Sequence, residues 1–484
     1  MIPTPQIDAI VVGSGPNGLA AALTVARAGR SVRVYEAADT IGGGTRTQEL
    51  TLPGFRHDVC STILPLAAAS PFFRGVDLAA RGVELVHPDA PVAHVLDRGR
   101  VAVLERSVAA TGAGFGSDGS PDGLHDARGW RRLFGPLTRE AGVLSGEILR
   151  PVIGVPRHPL ALARFGSSAL WPAATLARRR FRGDEARALF AGLAAHSMVP
   201  LTRPLTAAFG LVLGMTAHAV GWPMVRGGSA AVSAALADEI RSLGGEIIVG
   251  ERVTSLDALP AARAVLFDTT PQALAEIAGE RPSAGTRQRY DAFRYGPGVC
   301  KVDWALDGPI PWTADGARRA ATVHLGGTID EIVASEADVA AGRHSERPFI
   351  LLVQYHPWDP TRAPVGKTTA WAYCHVPNGS DVDMTEIIER QVERFAPGFR
   401  DLILARSTHT AVAMAAHDSN YVGGDINAGI SDIRQLLFRP IRSLDPYRAG
   451  PGLYLASSSA PPGGGVHGMA GYLAARSALR HELR

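Results

Sequence analysis

A glycine-rich turn between an apolar segment and an Ala-rich segment constrains the fold of this chain most strongly. Residues 7–37 read "IDAIVVGSGPNGLAAALTVARAGRSVRVYEA", and Gly13, Gly15 and Gly18 have the spacing G-x-G-x-x-G. Residues 7–12 are mostly apolar and β-branched, as a buried strand requires, and the segment after the glycines favours a helix. The glycines permit a tight turn, close approach of the backbone to a pyrophosphate and close helix packing. The pattern therefore predicts a strand–turn–helix unit that binds a nucleotide.

The second predicted strand, "SVRVYE", ends at Glu36. A carboxylate at this position can accept hydrogen bonds from both ribose hydroxyls, and it would repel a 2′-phosphate. The alternative is an ordinary strand–turn–helix with glycines at chance positions. Because strand, glycines, helix, second strand and acid all occur in order, the nucleotide site is the better interpretation.

A second G-x-G-x-x-G match lies at Gly114, Gly116 and Gly119. No apolar strand precedes it, and the "SPDG" that follows is typical of a turn. We therefore expect 112–127 to be an inserted surface loop, which leaves one dinucleotide fold in the chain. Flavoproteins that bind NAD(P)H stably through a second such fold are disfavoured.

Length and composition exclude several classes of function. The chain has 484 residues, which suits two domains or one large interleaved unit. With 46% hydrophobic and 20% charged residues and a net charge of +3, it resembles a globular protein that does not bind nucleic acid. Its three cysteines are far apart and form no C-x-x-C pair, so we expect no dithiol or metal site and a cytoplasmic location. The first predicted strand begins so early that we expect no signal peptide.

Two apolar segments raise the question of membrane contact. Residues 204–224 are long and apolar but include His218 and end in Gly and Pro, so a buried helix is the better interpretation. Residues 159–182 combine basic and apolar residues with Trp171. This segment is expected either to contact a membrane surface or to cap a substrate cavity, and the two roles are compatible.

Further segments carry features that suit a nucleotide. Arg46, in "EAADTIGGGTRT", follows the second strand and can reach phosphate oxygens. Residues 224–256 predict a helix, a Gly turn and two strands, and Val253 is placed to hold an adenine edge through its backbone. Residues 264–271 predict another buried strand. Residues 451–479 predict a strand, a Gly-rich turn and a helix whose N-terminus can face an anionic flavin edge.

These motifs resemble those of the phytoene desaturase-like FAD-dependent oxidoreductases, in the amine oxidase and carotenoid desaturase superfamily. The resemblance rests on Glu36 with the following Gly pair and on "GSGPNGLAAA", "GFRHDVCS", "RPI" and "APPGGGVHG". The family's usual arginine would stand at position 44, which is Gly44, and Arg46 lies two residues later. The resemblance implies FAD as the cofactor. It assigns FAD binding to Gly13, Ser14, Gly15, Gly18, Glu36, Arg46, Val253, Gly464, Gly465 and Val466.

The same resemblance implies an α/β fold in which a Rossmann-type FAD-binding domain is interleaved with an α+β substrate domain that has a mixed sheet and a helical cap. The expected FAD-binding segments are 1–85, 222–272 and 421–484, and the expected substrate-domain segments are 86–221 and 273–420.

Lys301 is the first candidate for catalysis. It lies in "YGPGVCKVDWALDGPIPW", an alternating stretch that places Lys301 and Asp303 on one face of a strand. The stretch resembles the amine oxidase segment in which a lysine holds a water beside the flavin N5. The alternative is a surface lysine. His467, which follows the glycine turn, is the second candidate, although a histidine at such a place is more often structural.

Other histidines are weaker acid–base candidates, namely His57, His196 and His417. The spacing of residues supports no Ser–His–Asp triad and no metal-ligand cluster.

The predicted substrate domain is apolar. Residues 351–377 alternate as strands, and 385–399 form an amphipathic helix that, with 88–221, would cover the flavin. We therefore expect a hydrophobic small-molecule substrate, such as a polyene, an isoprenoid or a lipid-like chain, that is desaturated or isomerised through the flavin. The alternatives are a flavin amine oxidase that uses Lys301 near N5, and a flavin-bearing scaffold protein without turnover. The sequence leaves the electron acceptor and the oligomeric state open.

Overall fold

A computed structural model describes residues 7–484. In chain order its strands are β1 (Ile7–Val12), β2 (Val32–Tyr35), β3 (Thr47–Gln48), β4 (His57–Asp58), β5 (Leu85–Val86), β6 (Ala90–Val95), β7 (Val101–Leu104), β8 (Met224–Val225), β9 (Glu246–Ile248), β10 (Ala262–Phe267), β11 (Gly298–Leu306), β12 (Ala320–Leu325), β13 (Ile350–Gln354), β14 (Thr368–Val376), β15 (Ile403–His409), β16 (Arg448–Gly450) and β17 (Leu453–Leu455).

The helices surround and cover these strands. They are α1 (Pro16–Arg27), α2 (Pro65–Ala69), α3 (Val108–Phe115), α4 (Pro121–Arg139), α5 (Ala141–Ile148), α6 (Pro159–Ala169), α7 (Ala173–Arg180), α8 (Asp184–Ala195), α9 (Thr206–Ala219), α10 (Ala230–Ser242), α11 (Pro271–Ala278), α12 (Ala284–Asp291), α13 (Asp315–Arg318), α14 (Ile329–Ala340), α15 (Thr385–Phe395), α16 (Ala411–His417), α17 (Ile433–Phe438) and α18 (Met469–His481).

The first large sheet has the strand order β16-β17-β10-β1-β2-β9. Strands β17, β10, β1, β2 and β9 are parallel, and β16 joins the edge antiparallel. The inner strands are apolar along their length because helices cover both faces of the sheet, as in other parallel sheets. This is the Rossmann-like arrangement that the glycine turn predicts, and it confirms the expected fold class.

The second large sheet has the order β15-β11-β14-β13-β12-β6-β7. It is mixed, since β12 and β6 are parallel while the other neighbours are antiparallel. One face packs on α15, whose Ile388, Val392 and Phe395 are buried as the amphipathic pattern predicts. Helices α4, α7, α8 and α9 form a separate apolar cluster with β6 and β7, which is the expected helical cap.

Three details differ from the sequence expectations. The predicted loop at 112–127 is wrong, because α3 and α4 occupy most of it and only 116–120 form a turn. Ser120 caps α4 by accepting from the Gly123 N–H, so "SPDG" begins a helix. Only one strand, β9, follows α10, and 250–255 are irregular. Helices α11 and α12 pack on the first sheet through Leu274 and Tyr290, so this unit extends beyond residue 272.

The two segments considered for membrane contact are both helical. Residues 204–224 contain α9, which is largely buried, as expected. Residues 159–182 form α6 and α7, which bury one side of the pair while Leu160 is 81% exposed and Leu170 is 61% exposed. Within residues 7–484, no helix combines the length and the apolar character needed to cross a membrane.

The contact between α1 and α18 generates a stability prediction. A Cβ at Gly471 would overlap the backbone carbonyl of Asn17, so Gly471→Ala must push two helices apart. We expect a loss of about 1–3 kcal/mol in the free energy of unfolding, measured by urea denaturation. Gly146→Ala in α5 is the matched control, since nothing lies within 4 Å of its Cβ and Ala favours a helix. Equal stability of the two variants would contradict this assignment of the contact.

Candidate cofactor and substrate site

Each large sheet forms one unit with the helices that pack on it. A cavity of about 430 Å³ lies where these two units meet. We call one part the turn end, because residues 12–17 and 35–38 line it. We call the other part the sheet end, because it reaches the second sheet. The residues that line the sheet end include Leu213, Trp222, Leu351, Val353, Trp371 and Tyr373.

The glycine turn is shaped by close approach to β10. Gly13 has φ +100°, which favours glycine. A Cβ at Gly15 would lie 2.6 Å from Asp268 Oδ2, and one at Gly18 would overlap the carbonyl of Gly13. Helix α1 begins at Pro16, so its N-terminus points at the turn end of the cavity. An anion bound there would be favoured by the free N–H groups and the helix dipole.

Glu36 lies at the end of β2, on the wall of the turn end. Its Oε2 accepts hydrogen bonds from the Ser14 N–H (2.9 Å) and the Ser14 hydroxyl (2.6 Å). Its Oε1 accepts from the Ala38 N–H at 2.9 Å. These bonds hold the carboxylate in place at the position where the ribose of a dinucleotide lies in such folds.

Arg46 is buried beside Glu36 and also lines the cavity. Its Nη2 is 3.3 Å from Glu36 Oε1, and its Nε donates to the Thr40 carbonyl at 3.2 Å. Position 44 has no room for an arginine, because a Cβ on Gly44 would overlap the hydroxyl of Tyr421. The chain therefore offers the guanidinium of Arg46 to the turn end, two residues after position 44.

The remaining predicted cofactor residues lie at the same cavity. Val253, in the irregular segment after β9, lines it beside Glu251. Gly465 and Val466 also line it, and Gly464 packs directly behind them against Asn427. The glycine-rich turn near the C-terminus thus reaches the cavity, although α18 begins only at Met469.

Asp268 was not identified from the sequence. It follows β10, and its Oδ2 accepts from the Gly18 N–H at 2.8 Å. Burial, together with the charges of Asp418 and Glu36, raises the pKa of this carboxyl to about 7. Its place after the strand in "AVLFDTTP" was the available signal, because the ends of neighbouring parallel strands meet at one edge of the sheet.

These residues fit a dinucleotide. The glycine turn leaves space that any Cβ would fill, α1 offers its N-terminus, and Glu36 offers a fixed acceptor. Asp268 would oppose a diphosphate when ionised, but as a neutral acid it accepts from Gly18 without adding charge.

Lys301 is buried, with 2% of its surface exposed, which excludes a surface lysine. Its Nζ donates to both carboxylate oxygens of Asp303 and lies 5.1 Å from the ring of Trp371. Asp303 Oδ1 is also 3.5 Å from His57 Nδ1. Burial raises the pKa of Asp303 to about 6 and lowers that of His57 to about 3. Trp371 lines the cavity and Lys301 does not, so the lysine lies behind the aromatic wall.

His467 is buried in the glycine-rich turn near the C-terminus, which contains Gly463, Gly464 and Gly465. Its Nδ1 accepts from the Met469 N–H at 3.0 Å, so its Nε2 carries the proton donated to the Gly463 carbonyl at 3.0 Å. Burial lowers its pKa to about 4. Both ring nitrogens are engaged by backbone, and His467 does not line the cavity. Its catalytic role stays a prediction that this geometry does not favour, because the ring fixes the turn.

The aromatic wall of the sheet end was missed by the sequence reasoning. Trp371 and Tyr373 project from the same face of β14 and stack with an interplanar angle of 12°. Trp371 Nε1 donates to the Thr62 hydroxyl at 2.9 Å and to the Tyr355 hydroxyl at 3.0 Å. The alternation in "TTAWAYCHV" was the available signal, since it places both rings on one face.

Charge is distributed unevenly along the cavity. The carboxylates that line it within residues 7–484 are Glu36, Glu251, Asp268 and Asp418, and all lie around the turn end. No carboxylate lines the sheet end in this part of the chain, where aromatic and aliphatic side chains predominate beside Thr62, Thr322 and His196. The sheet end therefore suits an apolar, uncharged molecule.

Comparison with known proteins agrees with this geometry. Residues 11–76 match the family described as NAD(P)-binding Rossmann-like domain. A mouse (Mus musculus) protein, pyridine nucleotide-disulfide oxidoreductase domain-containing protein 2, is 27% identical over 98% of this chain and 94% of its own length. Phytoene dehydrogenase of Streptomyces griseus is 28% identical over 83% of this chain and 78% of its own length.

The fold is also similar to that of a solved structure, a double mutant of putrescine oxidase. The TM-score is 0.63 at 17% identity, with 100% of each chain covered. The comparisons thus agree on an oxidoreductase with a Rossmann-like nucleotide-binding domain, and the solved structure agrees with the fold.

The position of Asp268 generates a pH prediction. Above a pH of about 7 its carboxylate is charged beside the N-terminus of α1, where it repels a diphosphate. We expect the Kd for FAD to rise roughly tenfold between pH 6 and pH 8, equal to about 1.4 kcal/mol. Asp268→Asn keeps an acceptor for Gly18 and should remove this dependence. The measurement is the recovery of free-flavin fluorescence on dilution.

The exposed Asp257→Asn variant is the control and should keep the wild-type pH profile. A wild-type Kd that does not change across this pH range would show that Asp268 is not charged near the cofactor.

Proposed function

We propose that this protein is an FAD-dependent oxidoreductase that desaturates or isomerises a hydrophobic, uncharged substrate such as a polyene, an isoprenoid or a lipid-like chain. The observation that carries the proposal is the cavity itself. Its turn end has the features of a dinucleotide site, and it continues into a sheet end with aromatic and aliphatic walls and no lining carboxylate within residues 7–484.

Each end has its own task in this proposal. When bound, FAD supplies the capacity to accept or return a hydride. The glycine turn and the N-terminus of α1 bind the diphosphate, and Glu36 accepts from the ribose hydroxyls. Arg46 lies beside Glu36, and its positive charge balances the negative charge of the Glu36 carboxylate. The turn at Gly465 and Val466 holds the other end of the cofactor.

The sheet end binds and orients the substrate. Trp371 and Tyr373 offer flat surfaces that pack well on an unsaturated chain, and Leu351 and Val353 extend the apolar wall. Filling this part of the cavity with an apolar chain expels water, which protects a reduced cofactor from side reactions.

A flavin amine oxidase is the second candidate. It is supported by the fold similarity to putrescine oxidase and by the aromatic pair Trp371 and Tyr373. The lack of a lining carboxylate at the sheet end disfavours a substrate with a second, cationic amine. A scaffold protein that holds flavin without turnover is a further alternative, and it predicts that no donor reduces the flavin.

The test is anaerobic mixing of the purified yellow protein with a panel of polyenes, isoprenoid alcohols, acyl lipids and amines. Bleaching of the flavin by a member of the first three groups, or isomerisation of a polyene that requires bound FAD, supports the proposal. Bleaching by amines alone supports the amine oxidase, and no reaction with any compound supports the scaffold. Denaturation must release FAD, because release of FMN or of no flavin would overturn the cofactor assignment.

Lys301 is proposed to act with Asp303 as a buried ion pair behind the aromatic wall. Lys301→Met alone leaves Asp303 buried without a cation, and we expect it to cost about 3–5 kcal/mol of stability. The double variant Lys301→Met, Asp303→Asn removes both charges and should fold with FAD bound. If the pair moves protons during turnover, stopped-flow rates of flavin reduction or reoxidation fall by about a hundredfold in the double variant.

Wild-type rates in both half-reactions would show that the pair is structural. Lys367→Met is the matched control, because this lysine pairs with Asp307 at the surface.

The pair of helices α6 and α7 is proposed to contact an anionic membrane surface. Leu160 and Leu170 are exposed, and the Arg179 guanidinium lies 5.1 Å from the ring centre of Trp171, so cationic and apolar groups are adjacent. We expect the wild-type protein to float with anionic liposomes. We expect this flotation to be lost when Leu160 and Leu170 are both replaced by Ser. Leu444→Ser, which alters an equally exposed leucine elsewhere, should leave flotation unchanged.

Failure of the wild-type protein to float, or flotation that survives both serine substitutions, would show that these helices only form part of the helical cap.

A further inference from the structure

Four histidines gather at the sheet end of the cavity without a role in the proposal so far. His94 lies on β6, His324 on β12 and His375 on β14, and all three are buried. His196 follows α8 and is partly exposed. Within residues 7–484, no group of three or more His, Cys, Asp or Glu side chains is arranged to hold a metal ion. The cluster therefore calls for another explanation.

His196 is the member that lines the cavity. Its Nε2 lies 3.2 Å from the Nε2 of His324. Its carbonyl accepts from the side chain of Asn427 at 3.3 Å, and Asn427 packs against Gly464. His196 is thus fixed between the other histidines of the cluster and the C-terminal glycine-rich turn that contains Gly464.

His94, His196 and His324 are uncharged. Burial lowers the pKa of His196 to about 3 and that of His94 to about 4, and it also lowers the pKa of His324. In neutral form, one of the facing Nε2 atoms of His196 and His324 carries a hydrogen and the other accepts it. If His324 donates, His196 presents an Nδ1–H donor; if His196 donates, its Nδ1 becomes an acceptor.

This pair suits one kind of polar group. An ammonium would need a carboxylate, and none lines the sheet end within the described residues. A carboxylate ligand would need a charged histidine, which burial opposes. A purely apolar ligand would cover a ring nitrogen of His196 without giving it a partner, and such burial is costly. A neutral hydroxyl or carbonyl oxygen avoids all three costs.

We propose that His196, backed by His324, is a substrate-binding residue that forms a hydrogen bond with a neutral hydroxyl or carbonyl oxygen on an otherwise apolar substrate. The inference rests on the proposed function, since it narrows the hydrophobic substrate to one that carries such an oxygen. The switch of tautomers in the His196–His324 pair lets the same site serve an alcohol and the ketone or aldehyde related to it.

The test compares two ligands in the FAD-loaded protein: a linear isoprenoid alcohol and the isoprenoid hydrocarbon of the same chain length. Binding is followed by quenching of tryptophan fluorescence, since Trp222 and Trp371 line the cavity, and by the shift of flavin absorbance. We expect the alcohol to bind about tenfold more tightly, equal to about 1.4 kcal/mol. His196→Phe should abolish this preference, and His196→Asn, which keeps a donor and an acceptor, should retain most of it.

His158→Phe, at an exposed histidine, is the matched control and should behave as the wild type. Equal affinity of the wild type for alcohol and hydrocarbon overturns this inference and leaves the proposed function standing, as does a preference that survives His196→Phe. Binding of neither ligand overturns the hydrophobic-substrate proposal and this inference together. Equal affinity in the wild type overturns the inference even if a variant fails to fold.

Discussion

The rest of this structure depends on how closely α1 approaches its neighbours. A Cβ at Gly18 or at Gly471 would overlap a backbone carbonyl, so the turn and the C-terminal helix both meet α1 without an intervening side chain. This contact brings residues from the two ends of the chain together and places the N-terminus of α1 beside Asp268. The direction in which the helix dipole points, and hence the place where an anion is favoured, follows from that packing.

The cavity then acquires its two characters from two different sheets. The parallel sheet supplies carboxylates at strand ends, as with Glu36 after β2 and Asp268 after β10. The mixed sheet supplies one face of a strand, from which Trp371 and Tyr373 project at period two. At the strand ends both carboxylates accept hydrogen bonds from backbone N–H groups, whereas the face of β14 presents aromatic rings to the cavity. Polar and apolar parts of the cavity are therefore separated by the fold itself.

How much could be predicted from the sequence depends on how far apart the contacting residues lie in the chain. The glycine turn, Glu36 and the amphipathic α15 depend on residues close together in the chain, so their spacing was sufficient. Lys301 was correctly placed on one face with Asp303, but its position behind Trp371 depends on pairing of β11 with β14. The pair of His196 and His324 joins residues far apart in the chain, so no local pattern marked it.

A buried charged network links the two units and so fixes the shape of the cavity. Asp58 accepts from the N–H and hydroxyl of Ser229, just before α10, and from Arg362 at 3.0 Å, in the loop between β13 and β14. The hydroxyl of Thr62, which lines the cavity, also donates to Asp58 at 2.9 Å and receives the indole N–H of Trp371. Removing one member of such a pair leaves an uncompensated buried charge, at a cost of about 3–5 kcal/mol. The aromatic wall is thus held in position by the same carboxylate that joins the nucleotide-binding unit to the mixed sheet, and this coupling keeps the sheet end aligned with the turn end.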